Sequence, residues 1–496
     1  MEKVTKKTQK IISATLDGFV AKKVEVESSF IKALPGFSIV GLGSQSIQES
    51  KERVKSALLN NGFSFPPLKI VINLSPSDLK KEGSHFDLPI ALSILFYDKE
   101  FDFSQYLVLG ELGLDGKLKD TNSIFPIILS LKPKKVIVPL ESAKKISKIP
   151  NVEIYAFSHI SEFEKFKPKK VQKSELKYSY IKINGKKYYY MENFELDFKD
   201  VLGQNKAKEA ALISVAGFHN ILLEGSPGVG KSMIVNRMRY ILPPMSLEEI
   251  LEVEKIRAME GKEVEFKPLR PFRAPHYSST RAAIFGGGSK GAKIGEVALA
   301  NKGMLFFDEL PYFQKDVLEN LRNPLEDKKV LISRVNAKIE YESDFLFASA
   351  MNPCPCGNLL SKDKECRCSD LEIRRYKNKI SEPLYDRIEI YHQMIEDEDT
   401  DTISSKKMFE KVLIAFEIQR GEFNSRLKED YKFNLEADAY DILKMAIKRF
   451  ALSKRSEFNV LKVAKTIANL EKRNKIKKED LIKSLSFRRR GNESSF

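Results

Sequence analysis

Cysteine is scarce: 496 residues contain four, all between Cys354 and Cys368. That argues against a disulfide framework and leaves a local metal site or reduced thiols. No stretch approaches the roughly 18 uninterrupted apolar residues of a membrane span. The basic N-terminus, MEKVTKKTQKIISATLDG, lacks an apolar core leading to a small-residue cleavage site. Neither membrane insertion nor export is therefore expected, and the cytoplasm is the expected compartment.

What the chain has in excess is positive charge. Its 84 Lys and Arg against 68 Asp and Glu give a net charge of +16. Such a balance favours polyanionic partners, nucleic acid being the commonest, with a Lys-rich solvated surface as the alternative. The hydrophobic content of 42% is ordinary for globular domains, and the length points to about three of them. The pattern predicts an α/β domain over residues 1–165, containing KIVINL, LPIALSIL and KKVIVPL. A Lys/Tyr-rich stretch follows, read as a linker or crossing hairpin over 166–195. A second α/β block over 196–395 alternates apolar strands with helices, which implies a parallel sheet. The charged, helical remainder, 396–496, reads as a lid without internal repeats.

Directly after the apolar run ILLE comes GSPGVGKS, comprising Gly225, Ser226, Pro227, Gly228, Val229, Gly230, Lys231 and Ser232, with a helical pattern behind it. Glycines let successive backbone N–H groups turn inward around phosphate oxygens, and the following helix presents its positive end. Lys231 is expected to reach the β- and γ-phosphates of ATP and Ser232 to hold Mg²⁺. The apolar run MLFF ends in Asp308 and Glu309. Asp308 is placed to orient Mg²⁺ through water, and Glu309 to polarise the water that attacks the γ-phosphate. A further apolar run, FLFASAMNP, ends in Asn352, which suits a hydrogen bond to that water or to the γ-phosphate.

Strand, phosphate loop, acid pair and strand-terminal Asn follow the order of AAA+ ATPases. The segments DFKDVLGQ, RPFRAPHYS, GGGSKGAKIGEVALANKGMLFFDEL, LRNPLED, AMNPCPCG and PLYDRIEI resemble the magnesium-chelatase-like ComM/YifB family across nearly the whole chain. The resemblance implies that Arg387, in LYDRIEI, is an arginine finger reaching a neighbouring subunit's ATP. It likewise implies that Arg455, in LSKRSEF, is the sensor arginine of the lid. A ring, most simply a hexamer, follows from the same resemblance.

The N-terminal segments are similar to that family's first domain, whose fold resembles the protease domain of Lon. Where the Lon motif places its nucleophilic serine, KKEGSHFD puts His85, with Ser84 one residue early. Phe125 stands where the partner lysine belongs, so no proteolysis is expected. Cys354, Cys356, Cys366 and Cys368 suit a structural Zn²⁺, although C-x-C is less diagnostic than C-x-x-C. KKVLISRVNAKIEYES alternates as a hairpin whose turn includes Asn336 and Lys338. In related AAA+ machines such a hairpin enters the central pore, making Lys338 a candidate DNA contact. Lys290 and Lys293, in GGGSKGAKIGE, resemble a second pore insertion.

Three functions compete. The leading one is a DNA-directed, ATP-driven ring motor on single-stranded or branched DNA, with helicase and branch-migration action linked to natural transformation. A chelatase-like ATPase remodelling a protein partner is the second. An ATP-dependent protease is the third, and it lacks a nucleophile.

Overall fold

Two units make up the chain, Met1–Lys177 with Glu254–Phe266, and Tyr178–Val253 with Lys267–Phe496. The computed structural model describes residues 8–41, 43–99, 101–166, 169–287, 294–333, 338–395 and 399–489. No helix among these is long and apolar enough to cross a membrane.

Among the described residues, ten strands form in the first unit: β1 (Thr8–Asp17), β2 (Val20–Ile31), β3 (Gly36–Val40), β4 (Lys69–Ser75), β5 (Tyr106–Val108), β6 (Glu111–Leu112), β7 (Leu118–Lys119), β8 (Lys135–Pro139), β9 (Glu153–Phe157) and β10 (Lys169–Val171). All but the β6–β7 ribbon join one mixed sheet in the order β10-β9-β8-β5-β1-β2-β4-β3. In β4 every second side chain is buried, namely Ile70, Ile72 and Leu74, as expected of a strand with one face on the core. The parallel strand β8 instead buries Val136, Ile137 and Val138 in succession. The helix over Gln45–Asn60 turns Ile47, Val54, Ala57 and Leu58 inward, a spacing that puts them on one face. Each of Ile47, Val54 and Leu58, fully buried, stabilises the unit by roughly 1.5–3 kcal/mol.

The second unit opens with a hairpin, β11 (Ser179–Ile183) and β12 (Lys186–Tyr190), to which β14 (Met245–Ser246) adds a third strand. Its two-residue turn is Asn184-Gly185, both at positive φ, the combination that matches strand twist. This hairpin lies within the segment read as a linker or crossing hairpin. The parallel sheet expected from the sequence follows: β13 (Ile221–Gly225), β15 (Phe272–Arg273), β16 (Met304–Phe307), β19 (Leu346–Met351) and β20 (Ile390–Met394). They lie in the order β15-β16-β19-β13-β20, and every pair is parallel. β13, β16 and β19 are buried along their whole length because helices cover both faces of such a sheet. β17 (Lys329–Ser333) and β18 (Lys338–Glu342) form a separate antiparallel hairpin.

The C-terminal helices are Ser405–Ile418, Ala437–Arg449, Lys454–Leu470 and Lys478–Ser486. They own a small core of Ala439, Leu443, Leu461, Ala464, Ile476 and Leu481. Val463, Ile467 and Phe487, however, enter the main core of the unit beneath the parallel sheet.

Candidate nucleotide site

The parallel order brings three strand ends together, with β13 leading into the phosphate loop, β16 into Asp308 and β19 into Asn352. A crevice outside the carboxyl ends of parallel strands is where open α/β sheets bind ligands. Gly228 and Gly230 adopt φ of 87° and 95°, turning the loop into the helix Lys231–Met238.

Lys231 is buried, and its ammonium donates to the carbonyls of Gly225 (2.6 Å) and Ser226 (2.9 Å) and to Oδ1 of Asn352 (3.1 Å). Burial pulls its pKa below the usual lysine value, while the charges of Asp308, Glu309 and Glu224 oppose that shift. Ser232 Oγ donates to Asp308 Oδ2 at 2.6 Å, so the two expected Mg²⁺ ligands already touch. Ser226 Oγ is buried with no partner among the described residues. An unpaired hydroxyl beside a row of loop amides fits a phosphate ligand.

Glu309 is exposed and held at φ 55°, a left-handed conformation rare for a residue with a Cβ. Its backbone N–H donates to Asp308 Oδ1 at 3.0 Å, while its backbone carbonyl accepts from the Tyr312 N–H at 2.9 Å and so starts the short turn Leu310–Tyr312. Strain of this kind concentrates at functional sites.

Lys231 is therefore hydrogen-bonded to Asn352, and its chain neighbour Ser232 to Asp308. The two arginines assigned by resemblance are elsewhere, converging on Glu326. Arg387 donates to Glu326, to the Arg322 carbonyl (3.1 Å) and to the Pro383 carbonyl (2.5 Å), and its side chain is only 10% exposed. Arg455 Nη1 lies 3.1 Å from Glu326 Oε1. Burial alone would raise the Glu326 pKa, but the charges of Arg455 and Arg387 outweigh it and hold the carboxyl below its usual range.

Sequence reasoning missed several supporting residues. Asn220, just before β13, donates to the Arg387 carbonyl (2.7 Å) and accepts from the Phe347 N–H (2.9 Å). It thereby stitches the segment carrying Arg387 to β19. Arg270, fully buried, donates to the carbonyls of Pro243, Pro244 and Lys302 and to Glu249. Its place in the motif RPFRAPHYS was visible, but its role as a clamp depends on partners distant in sequence.

Lys338 begins β18 opposite Ser333, whereas Asn336, Lys290 and Lys293 lie outside the described residues. The four cysteines come together, their Sγ atoms all within 4.8 Å of one another.

In the first unit His85 is fully buried, its Nε2 2.8 Å from the Ala14 carbonyl and its Nδ1 2.9 Å from Ser123 Oγ. Burial pushes the ring down to about 4, so it is neutral at pH 7. Ser84 donates its hydroxyl to Glu111.

The fold, the phosphate loop and the strand-end acids define a P-loop protein of the AAA+ class. Family descriptions agree: "Magnesium chelatase, subunit ChlI" matches residues 197–402, "Subunit ChlI of Mg-chelatase" residues 24–142, and the ChlI C-terminal description residues 402–488. The chain is 35% identical to Competence protein ComM of Haemophilus influenzae, over 95% of each chain. It is 33% identical to YifB of Salmonella typhimurium and to YifB of Escherichia coli, again over 95% of each. The chain belongs to the ComM/YifB family of magnesium-chelatase-like AAA+ proteins.

Proposed function

We propose that this protein is an ATP-hydrolysing ring motor, a hexamer in the cytoplasm, that moves on single-stranded or branched DNA as a helicase or branch-migration factor serving natural transformation. The observation that carries the engine is the convergence of Lys231, Ser232, Asp308 and Asn352 at the ends of adjacent parallel strands. In this reading the loop amides and Lys231 bind the β- and γ-phosphates. Lys231 exchanges the carbonyls of Gly225 and Ser226 for phosphate oxygens. Ser232 and Asp308 hold Mg²⁺, which when bound neutralises phosphate charge. Glu309 orients the attacking water, and Asn352 fixes both that water and the lysine. Catalysis of this type is positioning and charge stabilisation, with no covalent intermediate.

The DNA track is supported by the +16 charge, by the hairpin carrying Lys338, and by a relative named for competence. The description of the family by a magnesium chelatase subunit favours a second reading, ATP-driven remodelling of a protein partner. ATP hydrolysis measured with no DNA, single strands, duplex or a four-way junction, at two salt concentrations, separates them. Stimulation greatest on the junction and lost at high salt supports the DNA motor. Turnover indifferent to DNA, yet abolished in Glu309→Gln, transfers the assignment to protein remodelling.

A further inference from the structure

The nucleotide reading leaves the four cysteines unused. Cys354 Sγ lies 3.4 Å from Cys356 Sγ and 3.7 Å from Cys366 Sγ, and Cys356 and Cys366 are also 3.7 Å apart. A disulfide requires ~2.0 Å, so these are separate thiols. Four thiolates at ~2.3 Å from a zinc ion form a tetrahedron with edges of ~3.8 Å, close to the spacing seen. The donor set is all sulfur, the soft combination that selects zinc over hard cations.

The same segment touches the phosphate loop at two points. At its start Asn352 holds Lys231. Five residues on, Gly357 at φ 84° lies so close to Pro227 that a Cβ there would sit 2.6 Å from Pro227 Cδ and 2.7 Å from Cγ. Between the two points, Cys354 is fully buried and its carbonyl accepts from the Gly357 N–H at 3.1 Å. Residues 357–365 form no helix or strand, and the thiol cluster brings Cys366 and Cys368, at the far end of this loop, back beside Cys354, just past the end of β19.

We propose that Cys354, Cys356, Cys366 and Cys368 hold one structural Zn²⁺, and that the resulting knuckle clamps the phosphate loop at Pro227, linking metal occupancy to nucleotide affinity. The metal site stands on its own geometry, while the linkage rests on the ATP reading. Four protein sulfurs close the coordination shell, so the ion's role is structural. Linkage is reciprocal: if zinc tightens nucleotide binding, nucleotide tightens zinc by the same factor.

The test uses the full chain. Zinc per chain is counted by colorimetric release, and the site is reloaded with Co²⁺ to read thiolate charge-transfer and tetrahedral ligand-field absorption. Affinity for a fluorescent ATP analogue is measured for the zinc form, the chelator-stripped form and the re-zinced form, with Lys231→Ala as control. The expected result is one zinc per chain, tetrahedral thiolate absorption, and loss of both in the Cys366→Ser/Cys368→Ser double variant. Stripping weakens nucleotide binding about tenfold, an ordinary coupling between sites, and zinc restores it. Gly357→Ala keeps its zinc yet weakens nucleotide binding, a test that survives if the cysteine variant misfolds. Substoichiometric zinc with four freely reactive thiols overturns the site. Stoichiometric zinc with nucleotide affinity unmoved by stripping or by Gly357→Ala overturns the clamp. Wild type binding nucleotide no better than Lys231→Ala counts against the ATP reading and leaves the metal count to decide the site alone.

Discussion

At the scale of single residues, the site is defined by what each polar group is already bonded to. Lys231 satisfies its ammonium on two loop carbonyls and Asn352, a substitute for phosphate that keeps a buried charge paired. Lys231→Ala is therefore expected to abolish measurable binding of a fluorescent ATP analogue. Glu309 is different, because it is exposed and its side chain is free to meet a substrate water. Glu309→Gln is expected to bind ATP as wild type and to turn it over at least about 100-fold more slowly, the scale of a lost general base. Normal hydrolysis by that variant would remove Glu309 from the mechanism. The left-handed backbone supplies an independent check. Glu309→Gly should cost no stability in a urea titration, or gain up to about 1 kcal/mol, because glycine relieves the positive φ. The same change in a helix interior costs about 1 kcal/mol.

At the scale of elements, the sequence exposed whatever is written locally. The fully apolar runs ILLE, MLFF and FLFASA announce strands covered on both faces, and glycine spacing with Lys231 and Ser232 announces the loop between strand and helix. The Asn184-Gly185 turn is equally local, but the surrounding lysines and tyrosines left linker and crossing hairpin both open for this segment. Long-range pairings were beyond reach: nothing near Glu326 signals that Arg387 and Arg455 will meet there. His85 was legible as the residue displacing a nucleophile, yet its function as a strut from β1 to Ser123, at the start of the helix Ile124–Leu131, is a product of tertiary packing. That strut has a pH signature. The His85 pKa falls from 6.5 unfolded to about 4 folded, so between those values the unfolded chain binds more protons and stability rises with pH. Acidification through this window should destabilise the first unit by up to ~1.4 kcal/mol per pH unit. His219, also buried and depressed, adds the same sign in the second unit. Urea midpoints from pH 6.5 to 4.5 should fall less steeply in His85→Asn than in wild type. Equal slopes would show that His85 is protonated in the folded state.

At the scale of the whole molecule, net charge and assembly decide what a monomer's contacts mean. With +16 overall, DNA binding should weaken steeply with salt, and Lys338→Ala should lower the logarithmic salt slope by about 1 without changing sequence preference. Assembly bears on Arg387. Within one chain it is anchored by Glu326 and two carbonyls, and a finger must leave that acceptor set to reach a neighbour's phosphate. Glu326 keeps Arg455 when Arg387 departs, so its carboxylate is not left unpaired, which lowers the cost of release. Arg387→Ala should then bind nucleotide normally while hydrolysis falls about 10³-fold. In a head-to-tail ring each site takes Lys231 from one subunit and Arg387 from the next. Equal mixing of Arg387→Ala with Lys231→Ala thus leaves about a quarter of random interfaces with both groups intact. Hydrolysis by the mixture well above the sum of its parts places the finger in trans. Activity equal to that sum would assign Arg387 to its own chain, as the group that fixes Glu326 and the segment entering β20.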